Sequence, residues 1–160
     1  MSKVLMNRVF AKDTFKVSAA TITTGWVPGN FFTLNSLGEA VLAANDNALF
    51  MGVDPANTTQ LGLSTPPTGS LLTGIYGVGS KVYINHSAEV AAGDPTRAYA
   101  LDVEAGSVGN NLWVNSLGRL TLTGSVVTVG GASQTGSVQA KLIQVPNAAN
   151  DYTLGILFRI

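Results

Sequence analysis

The 160-residue chain has no cysteine, a single histidine (His86) and only 11% Asp, Glu, Lys and Arg. Without thiols there is neither a disulfide nor a thiolate metal site, and one imidazole is too few for a transition-metal centre. Charge is scarce against the roughly 25% of an ordinary soluble domain, so Ser, Thr, Asn and Gly must cover much of the surface. These resist association less than charges do. With 46% hydrophobic residues, the composition suggests that part of the surface is covered by other subunits, the plainer reading being a Thr/Ser-faced β monomer. No apolar run reaches the roughly 18 residues of a membrane helix, so no membrane is expected as a partner. In "MSKVLMNRVFAKDTFKVSAA", Asn7, Arg8, Lys12 and Asp13 break the apolar stretch that a signal peptide needs, and the segment is expected to be retained.

Net charge is zero but unevenly spread. Lys3, Arg8, Lys12 and Lys16 against Asp13 make the first sixteen residues net +3, and no Lys or Arg follows from Val17 to Ser80. Four dispersed cations with no aromatics laddered between them do not make a nucleic-acid site. The same segment carries Val4, Leu5, Met6, Val9, Phe10, Phe15 and Val17, too apolar to stay in water. It reads either as an extended arm over 1–16 laid on a partner or as an ordinary first strand.

What the chain has in quantity is short β-type runs punctuated by Gly, Pro and Asn. Strands are expected at 15–23, 30–34, 39–44, 48–53, 80–84, 97–104, 111–114, 119–123, 125–129, 137–145 and 152–160, many with the apolar/polar alternation of a half-buried strand. No convincing helix appears, since Asn45, Asp46 and Asn47 interrupt the best stretch. The class is all-β with many turns.

The tetrapeptide NSLG occurs twice, at 35–38 and 115–118. Asn at the first position of a type I turn caps the following amides, and Gly at the fourth takes positive φ without cost. Asn35, Gly38, Asn115 and Gly118 are therefore expected at hairpin tips. With an offset of 80 the match extends back to Gly29-Asn30 and Gly109-Asn110, six identities in ten positions, which points to two related β units over 17–80 and 97–160 or to chance recurrence of common residues. Between them, 57–79 reads as a long, uncharged loop holding Pro66-Pro67.

No catalytic constellation emerges, and the chain is expected not to be an enzyme and to hold no cofactor. His86 and Ser87 are adjacent on a strand and would point to opposite faces. Asp102 and Glu104 would share a strand face about 7 Å apart, a spacing that glycosidases and calcium sites tolerate but that the solvent side of a half-buried strand also produces. The glycines of 74–81 lack the phosphate-loop frame, the 45–47 "NDN" lacks calcium-loop spacing, and Trp26 and Trp113 suit a core better than a sugar platform.

The order of basic-apolar start, "GWVPGNFFTLNSLGEAVLAANDNALFMGVD" and a Gly-punctuated half ending in "YTLGILFRI" resembles small capsid decoration (cement) proteins of tailed bacteriophages. The resemblance implies a single β-barrel or sandwich body, tulip-like or jelly-roll-like, over 17–160, with an extended N-terminal arm. It implies a structural virion protein, made in the bacterial host cytoplasm and bound to the capsid exterior, that clamps neighbouring capsomers. Its partners would be the major capsid protein and copies of itself as a trimer, with no direct nucleic-acid contact. The arm residues Lys3, Val4, Leu5, Arg8, Val9, Phe10 and Lys12 would then bind the capsid. The alternatives are a glycan-binding β module of a phage tail or fibre using Trp26, Trp113 and the 57–79 loop, and a carbohydrate-active enzyme using Asp102 and Glu104.

Overall fold

The computed structural model describes residues 2–44, 46–53, 71–86, 97–124 and 126–160. The strands are β1 (Lys3–Arg8), β2 (Ala11–Lys16), β3 (Phe31–Leu34), β4 (Ala40–Leu42), β5 (Phe50–Gly52), β6 (Leu71–Tyr76), β7 (Lys81–Asn85), β8 (Asn111–Val114), β9 (Leu120–Thr121), β10 (Val126–Val129), β11 (Ala132–Thr135), β12 (Ala140–Gln144) and β13 (Leu154–Phe158). One helix, α1 (Ala19–Thr24), and two 3-10 turns, Leu101–Ala105 and Ala148–Asn150, complete the described elements. The strands form two antiparallel sheets, β1-β7-β13-β12-β8-β9 and β2-β6-β5-β3-β4, with β10-β11 as a separate hairpin. The expected all-β class holds, as a sandwich.

Four expectations change. The first sixteen residues are extended but do not leave the body: β1 pairs with β7 from Lys3↔Asn85 to Arg8↔Lys81, and β2 pairs with β6 from Ala11↔Tyr76 to Lys16↔Leu71. Val4 and Val9 pack on the central core and Phe15 on a second one, so burial at home competes successfully with exposure on an arm. The strand expected at 15–23 turns into α1, because Ser18 Oγ accepts the Thr21 N–H at 3.2 Å and Gly25 closes the turn with φ 79°. Burial of Ile22 outweighs the poor helix propensity of Thr and Ile. Residues 101–105 form a 3-10 turn rather than a strand. Of the expected 57–79 loop, 54–70 lies outside the described residues and 71–76 is β6, buried at Leu72, Gly74 and Ile75.

The two sheets repeat one plan. Across the five-stranded sheet one row of directly paired residues runs Lys12, Ile75, Met51, Phe31; across the six-stranded sheet the corresponding row runs Lys81, Leu157, Lys141, Asn111. Before β3, Asn30 Oδ1 accepts the Val27 N–H at 2.8 Å, and before β8, Asn110 Oδ1 accepts the Ser107 N–H at 2.8 Å, with Gly29 at φ 100° and Gly109 at φ 95°. The parallel bridges Val17↔Ala40 and Tyr99↔Leu120 lead into α1 and the 101–105 turn respectively. The repeated unit is thus β2 to β6 and β7 to β13, with β10-β11 inserted in the second and β1 added to its edge.

The units stack front to back. The face of the five-stranded sheet bearing Phe32, Phe50 and Leu72 is covered by Ile22 of α1. Its reverse, Phe31, Met51 and Ile75, shares the central core with Val82, Leu112, Leu142, Ile156 and Phe158, the face of the second sheet beside Val103 of the 101–105 turn. Phe31 and Phe158 rings meet at 5.8 Å.

Candidate functional site

The repeated turns form as the sequence dictates. Asn35 Oδ1 accepts the N–H groups of Leu37 and Glu39, both at 2.9 Å, and Asn115 Oδ1 those of Leu117 at 2.9 Å and Arg119 at 3.1 Å. Gly38 (φ 75°) and Gly118 (φ 70°) take the left-handed position. Their surroundings differ. The Gly118 carbonyl accepts the Phe31 N–H at 2.8 Å, docking the second tip on the first unit, whereas a Cβ at Gly38 would meet nothing within 4 Å and Leu37 is 79% exposed.

Beside the first tip, β2, β3, β5 and β6 build an apolar pocket of about 280 Å³ lined by Phe15, Leu34, Leu49, Phe50 and Tyr76. Its floor depends on glycine. Phe15 and Phe50 stack at 4.0 Å across Gly74, where a Cβ would lie 2.4 Å from Phe50 and 2.7 Å from Phe15. Phe50 stacks in turn on Phe32 at 5.8 Å, over Gly52. The second unit has Ile156 and Leu142 where the first has Gly74 and Gly52, aliphatic filling in place of rings over glycine. The pocket lining offers no charged group, so it suits an apolar side chain and is poorly equipped to orient a polar substrate.

The seven residues expected to bind a partner lie along the β1 and β2 edges. Lys3 is exposed, Val4 and Val9 face the core, and Lys12 is exposed on β2. Arg8 Nη2 donates to the Gly79 carbonyl at 3.2 Å and its guanidinium lies 5.4 Å from the Phe10 ring, while Phe10 N–H donates to Ser80 Oγ at 3.1 Å. Leu5, Met6 and Phe10 remain 43%, 53% and 62% exposed. Both strands are end strands of their sheets, and such exposed apolar edges are templates for pairing.

His86 is a structural residue. Its Nδ1 lies 2.9 Å from the Tyr152 carbonyl and its Nε2 accepts the Ala98 N–H at 3.2 Å, which assigns the neutral tautomer protonated at Nδ1. Burial holds its pKa below the ordinary value, only partly opposed by the Tyr152 carbonyl. Nearby, the buried Arg97 lies 3.6 Å from Glu104, which also accepts the Tyr99 hydroxyl at 2.9 Å; burial, then that bond, pushes the Tyr99 pKa up. Asp102 Oδ2 accepts from Thr121 Oγ1 at 2.6 Å, Leu122 N–H at 3.1 Å and Thr123 Oγ1 at 3.3 Å. Asp102 and Glu104 therefore serve two separate networks instead of one strand face. Trp26 is buried edge-on to Phe32, leaving no open ring face for a sugar, and half-buried Trp113 donates its indole N–H to the Gly136 carbonyl at 2.8 Å. Among the described residues no cluster of His, Asp or Glu has metal-site geometry, and no helix is long and apolar enough to cross a membrane.

Sequence reasoning missed the pocket because its walls come from four strands spread over residues 15–76. No known family matches the chain, and neither a curated protein nor a solved structure matches it.

Proposed function

We propose that the chain is a structural protein of a tailed-phage virion that binds the major capsid protein on the capsid exterior, associates with its own copies as a trimer, and clamps neighbouring capsomers. The observation that carries this reading is the exposed apolar edge formed by β1 and the β1–β2 corner, with Leu5, Met6 and Phe10 in water on a chain with few surface charges. The pairing of β1 and β2 changes the mechanism from a free arm to a preformed edge. A capsid strand laid along it would gain main-chain hydrogen bonds and cover these three side chains without first ordering a flexible segment.

The test is the combined variant Leu5→Lys, Met6→Glu, Phe10→Glu, which changes only exposed positions. Loss of capsid binding with an unchanged melting temperature is expected. Undiminished binding would refute the edge as the capsid contact.

A further inference from the structure

We infer that two copies associate head to tail, the pocket face of one chain receiving the outer face of the six-stranded sheet of the next; the inference deepens the self-association proposed above and rests on it. The intramolecular stack supplies the geometry. Within one chain, the second NSLG tip donates no side chain but offers the Gly118 carbonyl to Phe31 N–H, while the face beside it covers the Phe31, Met51, Ile75 row. The first tip and its adjoining face hold the same place in the first unit, yet among the described residues no unit of the same chain lies in front of them: Leu37 is exposed and the pocket is open. The row that corresponds to Phe31, Met51, Ile75 is Asn111, Lys141, Leu157 on the outer face of the second unit, where Asn111 is exposed and the other two are half-buried. A second copy would bring these surfaces together in the relation that the two units already have.

Charge agrees with this occupant. Val82 and Met51 share the central core, and their counterparts by register are Asp13 on the pocket face and Lys141 on the outer face. The same stacking puts that acid and that base on the two faces that meet between copies. Such a contact joins two different surfaces, so it closes into a ring when the rotation between copies allows and otherwise extends.

Because the chain has no cysteine, Leu37→Cys and Asn111→Cys, both at exposed positions, give unambiguous crosslinks with a short bis-maleimide. Mixed together, the two variants should yield covalent dimer well above what either yields alone. Light scattering on the cysteine-free chain should show mass rising with concentration. Asp13→Lys and Lys141→Glu should each weaken association by about fivefold, with the double variant restoring it. A chain monomeric up to millimolar concentration, or single-cysteine variants that crosslink with themselves as well as with each other, would overturn the contact. The capsid assay is separate: mixed crosslinks without capsid binding would leave the contact standing and remove the virion reading, and capsid binding by a strictly monomeric chain would do the reverse.

Discussion

The two NSLG tips allow one substitution to be tested against its own copy. Gly38→Ala and Gly118→Ala place the same methyl at nearly the same backbone angles, φ 75° and 70°. Each pays about 1–2 kcal/mol for a non-glycine residue in the left-handed region. At Gly38 nothing lies within 4 Å of the new Cβ, so the cost ends there. At Gly118 the Cβ would stand 2.8 Å from the Phe31 carbonyl oxygen, a backbone atom that cannot swing aside, and 3.1 Å from Leu42 Cδ2. Relief requires the tip to withdraw from β3, which breaks the 2.8 Å bond from Phe31 N–H and leaves a donor in a buried strand unpaired, costing about 1–3 kcal/mol more. Urea titration should therefore show Gly118→Ala less stable than Gly38→Ala by about 1–3 kcal/mol, or roughly 2–12 °C in melting temperature. Equal losses would refute the docking of the second tip as an energetic contact between units.

Gly74→Ala should destabilise by about 1–3 kcal/mol despite its ordinary backbone, through the Phe15–Phe50 stack, and by much less in a Phe15→Ala background; a double-mutant cycle of denaturation midpoints checks the coupling. Burial lowers the folded pKa of His86, so the unfolded chain takes up a proton first: its contribution is complete above about pH 6.5 and falls as pH drops below that value, by at most about 1.4 kcal/mol per pH unit. His86→Asn should flatten the stability profile relative to wild type across pH 7 to 5, and parallel profiles would contradict the assignment. Deleting residues 2–16 should unfold the body or lower its melting temperature sharply, since β1, β2 and the half-buried Val4, Val9 and Phe15 go with it, whereas a body melting as before would mean that these strands contribute no stability.

What was legible in the sequence was local. The NSLG tips follow from Asn side chains capping nearby amides and glycine at positive φ, needing only a few neighbouring residues; the Val27–Asn30 and Ser107–Asn110 turns use the same chemistry, but in the sequence Asn30 reads as the start of a strand. The offset of 80 points to units over 17–80 and 97–160; the strand order shows a common plan with other limits, β2 to β6 and β7 to β13, and the offset itself holds only around the two NSLG hairpins. What depends on distant partners was not legible. The apolar side chains of 3–16 suit an arm or a strand equally, and the distinction lies in β6 and β7, some 70 residues away. Asp102 and Glu104 alternate with Leu101 and Val103 as strand residues would, but hydroxyls at Thr121, Thr123 and Tyr99 fold the segment into a turn.

The replacements between corresponding rows also set the strength of any contact between copies. Phe31 and Met51, buried within the chain, become Asn111 and Lys141 on the outer face. Fully burying a Phe and a Met contributes about 1.5–3 kcal/mol each, so the contact between copies forgoes roughly 3–6 kcal/mol that the contact within the chain enjoys. Leu157 and the aliphatic stem of Lys141 retain part of that burial. Such a face would limit association of isolated chains while leaving a complementary surface for a neighbour. If copies are anchored along the β1–β2 edge on a capsid lattice, as proposed, they would stand at high effective concentration, and a contact too weak to dominate in dilute solution would become sufficient. Weak lateral association and edge anchoring would then reinforce one another, and strengthening the first with Asn111→Phe and Lys141→Met should produce large soluble oligomers or precipitate without any capsid present.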